Sequence, residues 1–295
     1  MCTSTLLTMV TLISLSLNMS INMKKIISVV ISSLLLLSLF SCSEKERAEN
    51  YQLTVNTVID DLEIDVKSCP TGQYKLYVGI FQNGTQLADP LQFDFHNGQA
   101  NAVISLVADQ TYDLVFWAQG VCASYVVNNL SSITIPEILP STSSEPMTLL
   151  AAKQNDAFFA VLKNVNFSGS ITQNVTLTRA VGVLNIANVT SPGAISSTEV
   201  EYVSYTTYNP LTGEFGGEKS IKQTVKFPER SDFVETETID GKNCTILLRS
   251  YFFTPEKKFR EVIITTKNDN TKKVTTLTSV PFEQNKKTNL IGNFI

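Results

Sequence analysis

Asp61, Glu63 and Asp65 alternate with Leu62 and Ile64. On a strand this spacing sets three carboxylates on one face, a hard-oxygen set that can hold calcium. The segment carries no glycine turn to wrap those ligands around an ion. A solvated edge strand that resists wrong pairing is the simpler reading. Paired carboxylates also serve as acid and base in hydrolysis, but nothing in the segment marks a pocket. A second group is Tyr202, Tyr205 and Tyr208, which lead into Asn209-Pro210 and a loop with Gly213, Gly216 and Gly217. On a strand Tyr202 and Tyr208 face one way and Tyr205 the other. Such rings can grip a sugar or a partner by stacking and a hydroxyl, or they can fill a core. His96 is the only histidine and lies in Phe95-His96-Asn97-Gly98. A triad or a histidine metal site would have to use it, and the context reads as an exposed turn. The sequence has no phosphate loop, dinucleotide fingerprint or nucleophile elbow. No catalytic residue and no cofactor are expected.

The elements that would carry these residues are strands. Leu53, Val55, Thr57 and Ile59 alternate with Gln52, Thr54 and Asn56. Residues 74–81 are rich in β-formers, and residues 100–106 and 112–118 alternate again. The period of two, with β-branched and aromatic enrichment, predicts half-buried strands. Asn83-Gly84 and Asn97-Gly98 join such runs, and Asn-Gly suits a tight hairpin because both positions tolerate positive φ. Strands separated by turns every ten or so residues indicate an all-β sandwich. Residues 136–148 hold three prolines among Ser and Thr. This break is the expected linker, with one sandwich over 51–137, a linker at 138–150 and a second sandwich over 151–295. A short helix is expected near 147–153. Strand patterning resumes at 173–179, 200–208, 221–227, 244–253, 259–267, 273–282 and 288–295, with Asp240-Gly241 and Asn268-Asp269-Asn270 as turns. Trp117, alternating within an apolar strand, is expected in the sandwich core, and Arg179 in a buried or interfacial ion pair.

Ahead of this body, Lys24 and Lys25 precede an apolar run over 26–40 and then Ser41-Cys42. A basic start, an apolar centre and a small residue before cysteine make a secretory signal. The run of about fifteen residues is short of the ~18–20 that span a bilayer. Its end resembles a bacterial lipoprotein box, in which a peptidase cuts before the cysteine and lipid joins the thiol. Cys42 is therefore the expected lipidation site, residues 1–41 the signal peptide, and 42–50 a charged tether. Residues 1–22 lack Lys and Arg, and Met23 is the better start.

Export removes Lys24 and Lys25 and no acid from a chain of formal charge −4. The acidic balance argues against nucleic acid as a partner. Cys69, Cys122 and Cys244 are far apart, so a zinc site is not expected beside a single histidine. One disulfide, more locally Cys69 to Cys122, and buried free thiols are both open readings.

Four segments in order resemble a known family: Tyr112-Asp113-Leu114-Val115-Phe116-Trp117-Ala118-Gln119; Asp156-Ala157-Phe158-Phe159; Val175 to Arg179 leading into Val183 to Ile186; and Val280-Pro281-Phe282 followed by residues 284–293. Together they resemble the fimbrillin-like lipoproteins of gut and oral anaerobes, from about Tyr51 onward. The resemblance implies two tandem transthyretin-like Greek-key β-sandwich domains and lipid anchoring at the outer membrane. It also implies a role as a fimbrial subunit (anchor, tip or accessory) that joins other subunits or surface proteins by strand addition. A glycan-binding outer-membrane lipoprotein of an uptake system is the alternative. Its likeliest site would be Tyr202, Tyr205 and Tyr208, with a glycan or host ligand as partner.

Overall fold

The computed structural model describes residues 50–59, 74–96, 98–121, 123, 125–135, 155–166, 168–189, 195–227, 235–255, 257–268 and 271–294. Among these residues the first half contains β1 (Asn50–Ile59), β2 (Tyr74–Gln82), β3 (Thr85–Gln86), β4 (Leu91–Phe95), β5 (Gln99–Val107), β6 (Tyr112–Gly120) and β7 (Ile133–Thr134). Then follow β8 (Ala157–Val165), β9 (Ile171–Arg179), β10 (Gly182–Asn188), β11 (Ser197–Asn209) and β12 (Glu214–Lys226). The last are β13 (Thr236–Ile239), β14 (Lys242–Phe252), β15 (Lys258–Lys267), β16 (Lys272–Phe282) and β17 (Lys287–Gly292). The protein is all-β, as the alternation requires. The helix expected near 147–153 lies outside the described residues, as does the proline-rich break.

The first sheet has the order β3-β2-β6-β8-β9-β1-β5, with β4 sharing the edge of β2 that β3 also pairs. Its fold-over point is between β8 and β9, where pairing shrinks to Phe158 with Arg179 and Phe159 with Thr178. The sheet thereby wraps one core, shared by Leu53, Val55, Leu76, Ile104, Phe116 and Leu177. The inward positions of β1 are the alternating set Leu53, Val55, Thr57 and Ile59. Strands β8 and β9 follow the composition break in sequence yet hydrogen-bond into the first sheet. Periodicity fixes the faces of a strand, not the sheet that it joins. Strand β9 runs parallel to β1, a pairing that needs a long crossover.

The second sandwich packs the sheet β13-β14-β10-β17 on the sheet β12-β11-β15-β16, with β7 added against β11. Leu184, Ile186, Val200, Tyr202, Leu248 and Ile264 are among the residues buried between them. A third cluster joins the two halves. It contains Val115 and Trp117 from β6, Tyr208 from β11, and Phe253 just past β14. Trp117 therefore lies outside the sandwich core where its alternation had placed it. Strand β6 is buried on both faces. Leu114, Phe116 and Ala118 fill the first core, and Trp117, fully buried, turns its edge to Tyr125 and Phe253. Its indole N–H donates to Gln119 Oε1 at 2.8 Å, which satisfies its one polar group.

Two of the turns that the sequence marks lie wholly within the described residues. Asn83 and Gly84 have φ of 51° and 77°, and Asp240 and Gly241 have 51° and 75°. Both pairs meet the two-residue requirement for positive φ in a hairpin whose twist matches its strands.

Candidate ligand-binding face

Strand β11 is thirteen residues long and alternates strictly to Tyr205. Tyr202 points into the second core at 2% exposure, and its hydroxyl lies 2.5 Å from Ser250 Oγ. Its ring meets Phe252 and Phe282 edge-on. Burial pushes its phenol well above the ordinary tyrosine range, with the Ser250 hydrogen bond opposing. Tyr208 is equally buried, in the third cluster, stacked on Phe215 with centroids 4.5 Å apart. Both rings are packing elements and offer no open face. Tyr205 alone of the three is half-buried, at the margin of the third cluster, where its ring also meets Phe215.

Around Tyr205 a charged cluster is assembled by register. Tyr205 pairs with Glu218 across β11 and β12, and the register of β15 on β16 shifts between Arg260 and Val262, where β16 carries the extra residue and Ser279 has φ of 59°. Lys258 and Arg260 lie over the Tyr205 ring at 4.8 and 5.7 Å. Lys258 Nζ donates to the Tyr205 hydroxyl at 2.7 Å and to Glu218 Oε1 at 2.5 Å, and Arg260 donates to the same Glu218 oxygen at 2.6 Å. The hydrogen bond from Lys258 first, then that from Arg260, holds the Glu218 carboxyl at about 2.

Beside this cluster, on the outer face of the same sheet, is a cavity of about 260 Å³. Val203 and Ile263 line it as apolar groups, with Glu201, Glu261, Ser220 and Phe259 around them. Phe259 is 60% exposed, the most open of the large apolar residues among the described residues. Ser220 donates its hydroxyl to Glu201 Oε1 at 3.0 Å. An open ring beside two carboxylates and a hydroxyl can stack on a flat ligand and accept its hydroxyl protons.

A profile for a family of unknown function (DUF6562) matches residues 45–295. The chain belongs to this family. Among solved structures, this DUF6562 chain is similar to a fimbrial assembly protein from Parabacteroides distasonis at 10% identity and a TM-score of 0.46. The match covers 83% of this chain and 92% of that one. It is also similar to the fimbrial anchor protein Mfa2 from Porphyromonas gingivalis, at 12% identity and a TM-score of 0.43, over 82% and 91% of the two chains. Comparison with curated proteins by sequence finds no match.

The other residues singled out in the DUF6562 sequence fall as follows. Arg179 forms the expected buried ion pair. Its partner is Asp156, held by Nε at 2.9 and 3.2 Å and by Nη2 at 3.0 Å. His96 is exposed and bridges to Gln99 at the hairpin end. Cys244 is a buried free thiol. Cys42, Asp61, Glu63, Asp65, Cys69 and Cys122 lie outside the described residues. Among the described residues no three His, Cys, Asp or Glu gather as a metal set. Sequence reading passed over Phe259, Glu261 and Ile263, although their alternation already set them on one strand face. Alternation alone does not say that these outward side chains border a cavity.

Proposed function

We propose that this DUF6562 protein is a lipid-anchored cell-surface protein of the fimbrial-subunit type, acting as an anchor, tip or accessory subunit. It joins other subunits by strand addition and surface contact, and Cys42 carries the lipid. The observation that carries this reading is the residue pattern of β6. The segment Tyr112 to Gln119 that resembles the fimbrillin-like proteins is the strand on which the first core and the third cluster are both built. The segment at 284–293 resembles the same family and forms β17, at the end of its sheet's strand order, with β10 on one side. An edge strand of this kind presents unpaired backbone groups to an added strand. The export signal ahead of Cys42 supports a surface location.

Immunogold electron microscopy of intact cells, with antibody to residues 51–295, tests the reading. Gold along filaments or at their ends is the expected result. Gold spread over the envelope without filaments overturns the fimbrial role. Gold only after permeabilisation overturns surface exposure.

A second reading, a glycan-binding surface lipoprotein, is favoured by one observation, the exposed Phe259 ring lining the same cavity as Glu201 and Glu261. Retention on polysaccharide affinity gels, lost in Phe259→Ala, would support it. Because Tyr202 and Tyr208 are buried, Phe259 is the informative position. No retention on any glycan gel would remove this reading.

A further inference from the structure

The outward face of β5-β1-β9 is charge-free over a large exposed area. Every outward residue of β1 from Gln52 to Val58, of β5 from Gln99 to Val107 and of β9 from Thr172 to Thr178 is Asn, Gln, Thr, Ser or Val. All of them are exposed except the half-buried Thr54. Elsewhere the outer strand surfaces are charged, as at Glu199 and Lys222 on the β11–β12 pair. Across the middle of the neutral face runs a row of side-chain amides. Asn101 Nδ2 donates to Asn56 Oδ1 at 2.8 Å, and Asn56 Nδ2 donates to Asn174 Oδ1 at 3.1 Å. The row has a direction, with the Asn101 carbonyl oxygen as its acceptor end and the Asn174 amide nitrogen as its donor end.

We infer that this face is a homotypic contact, and that its occupant is the same face of a second copy. Four features select that occupant. No Lys or Arg is present to meet phosphate or a lipid headgroup, which removes nucleic acid and anionic membrane. No aromatic ring is present to stack on a sugar. No charge is present to select a charged protein, and between two copies of a net acidic chain a neutral face brings no like charges together. Finally, the amide row is self-complementary. A two-fold axis in the interface, perpendicular to the row, reverses the second row and sets donor end over acceptor end. Val58, Val103 and Val107, between 36% and 46% exposed, supply apolar contact around the amides.

Size fixes the strength. Three strands about 4.8 Å apart and about 30 Å long give a patch smaller than the ~800 Å² per partner of a standard interface. The pair is therefore weak in free solution and becomes effective between copies held on one surface, where effective concentration is high. That last clause rests on the lipid-anchored reading. The pairing itself does not, and it is tested apart from it.

The test is sedimentation equilibrium of the full chain in detergent, up to about 1 mM. Wild type is expected to show a monomer–dimer equilibrium. Asn56→Lys and Asn56→Glu, each alone, weaken it at least about tenfold by setting like charges opposite each other. An equimolar mixture of the two variants recovers association, a result that misfolding of either variant could not produce. Val103→Lys, on the neighbouring strand, weakens it similarly. A wild type that stays monomeric throughout overturns the inference, as does a dimer unchanged by these substitutions. Failure of the immunogold experiment would leave this result standing.

Discussion

Asp156 and Arg179 are joined by three hydrogen bonds where the chain leaves the first sheet for the second sandwich. Both side chains are buried. The guanidinium also lies 5.4 Å from the centre of the Phe158 ring. The next residues, Ala180 and Val181, enter the third cluster. The pair therefore fixes the crossing between the two halves.

Arg179→Ala strands a buried carboxylate without its cation and should cost about 3–5 kcal/mol. Replacing both residues by apolar ones, as in Asp156→Leu with Arg179→Met, should cost less than that single change. Urea unfolding of the wild type and the two variants measures this. Equal losses would mean that the pair is not coupled.

Buried tyrosines set an alkaline limit. Burial raises the phenols of Tyr125, Tyr202 and Tyr251 above their ordinary value of 10.0. Above pH 10 the unfolded chain releases these protons while the folded chain retains them, so the stability they contribute is intact below pH 10 and falls as pH rises. Thermal melts between neutral pH and pH 11 should show the loss beginning near 10. Tyr202→Phe should flatten its slope.

Glu218 behaves in the opposite sense. Its folded value of about 2 is depressed from 4.5, so its contribution is present above 4.5 and fades as pH falls towards 2. Carboxyl titration by nuclear magnetic resonance should give a midpoint well below 4. In Lys258→Met the midpoint should rise, because the first-ranked hydrogen bond is gone.

Gly182→Ala tests the close approach at the start of β10. A Cβ there would sit 2.3 and 2.5 Å from Phe252 ring carbons and 2.7 Å from the Glu283 carbonyl oxygen. The backbone oxygen cannot yield as a side-chain tip would, and a loss of about 1–3 kcal/mol is expected by chemical denaturation.

Trp117 is the only tryptophan, so its emission reports on the third cluster alone. Phe253→Ala removes one of its ring partners. Emission should move to longer wavelength while the strand signal in circular dichroism stays unchanged. Loss of both signals together would mean that the cluster and the sandwiches melt as one.

Local signals reached far into this fold. The inward set Leu53, Val55, Thr57 and Ile59 and the Asn83-Gly84 turn follow from period and from φ preference. So does a buried pairing role for Arg179, since a lone Arg after an alternating strand needs a counter-charge. Partnership did not show. Nothing in 157–165 says that β8 lies beside β6, because an antiparallel neighbour distant in sequence leaves no periodic trace. Trp117 shows the same limit, since alternation separates two faces of a strand without saying that both are covered. The cavity at Phe259 was hidden for the same reason, because its lining comes from β11, β12 and β15 and their pairing leaves no trace in the sequence.

The two parallel pairings set an order of assembly. Asn56 reaches Asn174, 118 residues later, and Asn185 reaches Asn289, 104 residues later. Strand β10 lies between β14 and β17, both of which are made after it. Neither half can close on a nascent chain until its distant strand has emerged, so folding is governed by long loops and is slow. A chain that stays open while it is being synthesised leaves its unpaired strand edges uncovered for longer, which is the interval in which another chain can pair with them.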